Sequence, residues 1–155
     1  MSPSESEAAA RVRELLEQLV EAVGVSAEIE IEESRDELAA NLAGEDLGLL
    51  IGRHGQTIDA IQHLAYRVAA RGADDRKRVT VDAAGYRARR AALLQQDADD
   101  AVDEVLDTGQ AVALDAMNAV ERRVVHEYLR DRAGVETYSE GEEPDRHLVI
   151  APLDD

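Results

Sequence analysis

Between two apolar runs stands Gly52-Arg53-His54-Gly55, followed directly by Gln56. Glycines on either side of two basic-type residues let the backbone approach a sugar–phosphate chain closely, and the free N–H groups of the helix that follows attract an anion. Arg53 places positive charge at that point, as does His54 when protonated. An isolated G-x-x-G more commonly marks one helix ending and the next beginning. A second pair, Arg122 and His126, is spaced i, i+4 and shares one face of a helix, with Arg123 beside it. A third group, Arg87, Arg89 and Arg90, opens a helix whose far end carries Asp99, Asp100, Asp103, Glu104 and Asp107. Those charges run against the helix dipole at a cost of about 0.3–1 kcal/mol per well-placed group, so helix stability does not explain them. Beside the basic strand Arg76-Lys77-Arg78 they form a phosphate-attracting spot, unless they pair with carboxylates elsewhere. His63 and His147 have no ligand spacing to other metal-binding side chains, and the acidic run from Asp97 to Asp107 lacks the glycine and ligand pattern of a calcium loop. No Ser or Lys nucleophile comes with a recognisable base, and there is no Cys, so the expectation is a binding protein without catalytic residues, metal or cofactor.

The elements that must position these residues are readable from periodicity. Ser4 with Glu7 has the form of a capping box, and Val12, Leu15, Leu16, Leu19, Val20 and Val23 predict an amphipathic helix over 5–23, stopped by Gly24. Alternation then predicts two strands: Ala27, Ile29 and Ile31 against Glu28, Glu30 and Glu32, and Leu38, Ala40 and Leu42 after a turn at 33–36. A short apolar helix, 46–51, leads to the glycine pair, and Gln56 opens a helix to about Arg71 that carries Ile58, Ile61, Leu64, Ala65 and Val68. A strand follows over 76–82. Beyond Ala83-Ala84-Gly85 a new helix carries Leu94, Ala98, Ala101, Val102, Val105 and Leu106 to Gly109, and a short strand is expected over 111–114. Asn118 with Glu121 predicts a capped helix marked by Val120, Val124, Val125, Tyr128 and Leu129, and strands are expected over 135–139 and 147–151.

The 155 residues hold 34 acidic and 17 basic side chains, a net charge of −17, with no Trp or Phe. That average would argue against a polyanionic partner, but the charge is segregated. Residues 1–48 hold 3 basic and 13 acidic groups, residues 49–90 hold 9 and 4, residues 91–121 hold 0 and 8, and residues 122–155 hold 5 and 9. One basic island lies between acidic flanks, and it contains the glycine pair. Without cysteines, a signal-peptide core or an apolar span of about 20 residues, a disulfide scaffold and a membrane span are not expected, and the cytosol is the expected compartment.

The order strand, strand, helix, Gly52–Gly55, helix, strand resembles the type II K-homology (KH) domain, in which the GXXG loop and an adjacent apolar groove hold single-stranded nucleic acid. The resemblance implies that Gly52, Arg53, His54, Gly55 and Gln56 clamp the nucleotide backbone and that Ile51 and Ile58 face bases. Downstream, Thr137, Ser139, Gly141, Pro144 and Arg146 look like the stretch that follows the Arg-x-x-x-His motif in the R-three-H domain, which implies a second contact surface from Arg122, Arg123, His126 and Arg146. The two in this order, with Gly85-Tyr86-Arg87-Ala88-Arg89-Arg90 at the junction, resemble the Jag family, also called KhpB or SpoIIIJ-associated proteins. Three departures stand out: many members carry an additional N-terminal Jag domain, a proline is common where Asp115 or Ala119 stands, and members are usually less acidic. The implied fold is α+β, with an amphipathic helix (1–24) packed on a KH domain (25–84), then an R-three-H domain (85–155). The implied function is binding of single-stranded RNA, or single-stranded DNA, by a post-transcriptional regulator that has a companion single-KH, KhpA-like protein. The rival expectation is an adaptor that docks a basic or KH-type partner through its acidic helices.

Overall fold

The computed structural model describes residues 4–72 and 77–154, and the chain divides into two compact units between Arg87 and Ala88. The first holds α1 (Glu7–Val23), β1 (Glu28–Glu33), β2 (Glu37–Ala43), α2 (Gly48–Ile51), α3 (Gln56–Ala69) and β3 (Arg78–Ala83). Arg76, expected at the start of the third strand, lies outside the described residues.

In this sheet β2 is central, antiparallel to β1 and parallel to β3, with Ala40 opposite both Ile31 and Val81. The period-2 pattern fixes the faces: Leu38, Ala40, Leu42, Val79 and Val81 are buried, whereas Glu28, Glu30 and Glu32 are exposed. On that core lie Val12 and Leu16 of α1 and Ile58, Ile61 and Ala65 of α3. Arg11 ties α1 to the end of α3, donating from Nε to Val68 O (3.0 Å) and from Nη2 to Arg71 O (3.0 Å), carbonyls at the C-terminal end of that helix. The start of α1 differs from expectation. Ser6, not Ser4, caps the helix by accepting from Ala9 N (3.1 Å), and its hydroxyl donates to Glu33 (2.6 Å), so the cap also holds the helix to β1.

The second unit contains most of α4 (Tyr86–Thr108), then β4 (Val112–Ala113), α5 (Ala119–Leu129), β5 (Val135–Glu140) and β6 (His147–Pro152). Its sheet runs β4-β6-β5, all antiparallel. Leu94, Ala98, Val102 and Val105 of α4 pack with Val125 and Leu129 of α5 and with Leu148 and Ile150 of β6. The Asn118–Glu121 capping box forms as expected, Glu121 N donating to Asn118 Oδ1 at 2.8 Å. The buried stripe of α5 does not match expectation: it is Arg122, Val125 and Leu129, whereas Val120, Val124 and Tyr128 are exposed, as is Leu106 of α4. Two stripes at helical spacing compete on α5, and the arginine wins burial because its stem packs while its head reaches backbone carbonyl.

Candidate nucleic-acid interface

The glycine loop is built by backbone conformations that ordinary side chains resist. Helix α2 closes with Gly52 N donating to Gly48 O (2.8 Å), and the chain then turns through a single turn of 3-10 helix, Arg53–Gly55, into α3. Gly52 has φ +75°, and a Cβ there would meet Thr57 Oγ1 at 2.1 Å; Gly55 has φ +77°, and a Cβ there would meet the Tyr86 ring at 2.6 Å. Both positions require glycine. His54 between them has φ 55°, a left-handed conformation uncommon for a residue with a side chain.

Arg53 and Gln56 are exposed and His54 is half-exposed, and Arg53 forms no ion pair among the described residues. Gly55 occupies the N-cap position of α3 with no side-chain cap, and Gln56 N–H donates to Arg53 O. Asp59 lies in that first turn, where its charge would repel phosphate, but Arg87 Nη1 stands 2.8 Å from it. Arg87 is therefore a neutralising partner, and its Nε donates to Val81 O (3.0 Å). Arg90 is likewise committed, to Glu121 at 2.9 Å, and Arg89 is exposed. Of the three arginines that were expected to form an open anion spot, Arg87 and Arg90 pair with carboxylates.

Ile51 is half-buried against the core and borders the loop. Ile58 is corrected: it is 0% exposed and its side chain belongs to the hydrophobic core, so it supports the loop from beneath and presents nothing to a base.

Beyond the loop, an open groove of about 380 Å³ lies between α3 and β3, lined by Asp59, Gln62, His63 and Tyr66 on one side and Arg78, Val79 and Thr80 on the other. Its floor is the outer edge of the sheet. Arg78 N donates to Asp36 O (3.0 Å) and Ala84 N to Leu42 O (2.9 Å), both toward β2, so the backbone groups of Val79 and Val81 turn outward. Gln62 Oε1 accepts from Val81 N at 2.9 Å. Sequence reasoning set His63 aside and did not reach Gln62, Tyr66 or Thr80. The one available signal was the basic strand, because the groove exists only where α3 packs beside β3. The larger hollow of this unit, about 1000 Å³, is lined by Glu17, Glu21, Glu28, Glu45 and Asp46 around apolar residues, and would repel phosphate.

In the second unit, the Arg-x-x-x-His pair and the Thr137–Arg146 stretch come together. His126 Nδ1 hydrogen-bonds Thr137 Oγ1, and Arg122 Nη2 donates to Glu143 Oε1 at 2.9 Å while its Nη1 donates to Met117 O at 2.6 Å. Arg146 Nη1 donates to Gly141 O (2.6 Å) within the same loop. Arg122 is corrected too: at 8% exposure with both ends bonded, it fastens the start of α5 to that loop and is not an open contact. His126 and Arg123 remain exposed.

The profile of the KhpA/KhpB KH domain matches residues 9–82, and that of the R-three-H domain matches residues 92–152. The chain carries a KhpA/KhpB KH domain followed by an R-three-H domain. RNA-binding protein KhpB of Clostridium symbiosum is 39% identical over 140 residues, which cover 89% of this chain and 63% of that protein. RNA-binding protein KhpB of Bacillus subtilis is 36% identical over 138 residues, covering 88% of this chain and 66% of the relative. For RNA-binding protein KhpB of Lactiplantibacillus plantarum the figures are 37% over 133 residues, 86% and 41%. The chain thus spans 66% or less of the length of these three KhpB relatives. No helix among the described residues is long and apolar enough to cross a membrane.

Proposed function

We propose that this protein binds single-stranded RNA as a non-catalytic, KhpB-type regulator, with the phosphodiester backbone against Gly52–Gly55 and bases entering the groove between α3 and β3. The observation that carries the reading is a loop bracketed by two obligatory glycines at the start of α3, with Arg53 exposed on it, beside an open groove lined by His63 and Arg78. A backbone that must approach phosphate needs both glycines, and bases unstacked from a single strand need an adjoining slot. Tyr66 offers the groove an aromatic face. The naming of the relatives as RNA-binding proteins supports the same ligand. In the second unit, Arg123 and His126, with Arg146 and Arg89, form the candidate second contact, and two weak sites on one chain lengthen the footprint by effective concentration. The acidic flanks reject loosely held polyanions.

The test is a titration of fluorescein-labelled single-stranded RNA against wild type and Arg53→Glu. Arg53 is exposed and forms no ion pair among the described residues, so the variant leaves the fold intact. Gly52→Asp would distort the loop itself, because its Cβ meets Thr57 Oγ1. We expect at least about a tenfold loss of affinity and a salt slope shallower by about 0.7 for the lost phosphate contact. Equal affinity and slope would remove the loop from the mechanism.

One observation favours a second reading, an adaptor for a basic protein segment: the hollow bearing five carboxylates around Val20, Val25 and Ile29. A companion retained after nuclease treatment, and released by Glu21→Lys, would support it over RNA-mediated association.

A further inference from the structure

The carboxamide of Gln62 is held in one orientation by the strand it touches. Its partner at 2.9 Å is the N–H of Val81, a donor, so the atom facing it must be the oxygen. The side chain lines the groove, and with Oε1 committed its two N–H groups are the polar function it has left to offer there. The carbonyl of Val81 is taken by Arg87 Nε at 3.0 Å, so neither backbone group of Val81 is available to a ligand. Two residues earlier on the same outward edge, Val79 presents an N–H and a C=O into the groove, and no side chain among the described residues caps them.

Along the edge of β3 the groove therefore offers, in order, a donor (Val79 N–H), an acceptor (Val79 C=O) and a donor (the Gln62 amide). We propose that this row selects uracil in the groove, with Gln62 as the specificity-determining side chain; the inference rests on the RNA-binding reading above. Uracil is the RNA base whose Watson–Crick edge reads carbonyl, N–H, carbonyl, the complement of donor, acceptor, donor. Cytosine places a bare ring nitrogen opposite the Val79 carbonyl, adenine has no third polar atom, and guanine opposes an N–H to the Gln62 amide. A volume of about 380 Å³ is ample for one pyrimidine. Each mismatched donor or acceptor leaves a buried polar group unpaired, the basis of base discrimination elsewhere.

The substitution that reverses the row is Gln62→Glu. A glutamate still accepts from Val81 N–H, so the strand edge stays satisfied, but the groove end becomes an acceptor. Donor, acceptor, acceptor complements guanine. The experiment measures full-length wild type, Gln62→Glu and Arg53→Glu against labelled octauridylate, octacytidylate, octaadenylate and an alternating guanosine–adenosine octamer. We expect wild type to prefer octauridylate over octacytidylate by about tenfold, and Gln62→Glu to lose about tenfold on octauridylate while favouring the guanosine-containing octamer over octaadenylate. Should Gln62→Glu fail to fold by circular dichroism, octameric N3-methyluridine on the wild type removes the central N–H and must cancel the uridine preference. No uridine preference in wild type, or the same base order in Gln62→Glu, overturns this inference while loss of binding in Arg53→Glu leaves the RNA reading standing. Absence of RNA binding, or binding indifferent to Arg53→Glu, overturns the reading and the inference with it.

Discussion

Arg122 occupies a position to which the motif assigns nucleic-acid contact, and its surroundings set it a different task. Both ends of its guanidinium are spent within the unit, on Met117 O and on Glu143, and its stem lies in the stripe that α5 buries. Removing it leaves the Met117 carbonyl without its donor. We expect Arg122→Ala to lower the unfolding free energy by about 1–3 kcal/mol in a denaturant titration, and Arg122→Lys to recover only part, since one ammonium cannot replace a planar fork. RNA affinity per folded molecule should stay near wild type. Ile58 teaches the same lesson in the first unit: a residue two positions into α3 from the loop is core, because the helix that begins at Gln56 turns that face toward Leu38 and Leu50. Spacing placed both residues beside the right motif. It could not say which way they point.

At the scale of elements, period-2 alternation placed β1 and β2 to within a residue or two, because charged Glu and apolar Ile cannot exchange faces without burying carboxylates. The glycine loop was equally legible, since at Gly52 and Gly55 a positive φ coincides with a position where any Cβ would collide with Thr57 or Tyr86. Less legible were α5, where two apolar stripes have the same spacing, and the groove, whose two walls are separated by some fifteen residues of sequence and share no local pattern. The acidic side of α4 looked like plain solvated surface, yet Asp99 joins α4 to α5: Arg132 donates to it at 2.8 Å and Tyr128 at 3.0 Å, with the Arg132 guanidinium 5.4 Å from the Tyr128 ring. The hydrogen bond from Arg132, then that from Tyr128, holds the Asp99 carboxyl below its ordinary range. A carboxyl lowered by folding stabilises the protein above its unfolded pKa, and that contribution is lost as pH falls through the lowered folded value. Asp99→Asn should therefore flatten the acid limb of stability below about pH 4, while the remaining pH profile stays parallel to wild type in thermal unfolding.

Across the whole molecule, a net charge of −17 conceals where the cations sit. Arg53 stands on the loop and Arg78 on the groove, whereas Arg87, Arg90, Arg122 and Arg132 are consumed by carboxylates or carbonyls inside their own units. Composition alone could not separate spent from available charge, since pairing is a property of the folded chain. The aromatic inventory has its own outcome. The chain has no Trp and four Tyr, of which Tyr66 lines the groove and Tyr86 lies against Gly55, while Tyr128 and Tyr138 belong to the second unit. In a Tyr128→Phe, Tyr138→Phe double variant, the ultraviolet emission of the protein comes wholly from the two rings next to the glycine loop and its groove. Quenching of that emission by an unlabelled oligonucleotide is expected if a base stacks there, and an unchanged spectrum at saturation would place the strand elsewhere, so the scarcity of aromatics makes the chain its own optical probe.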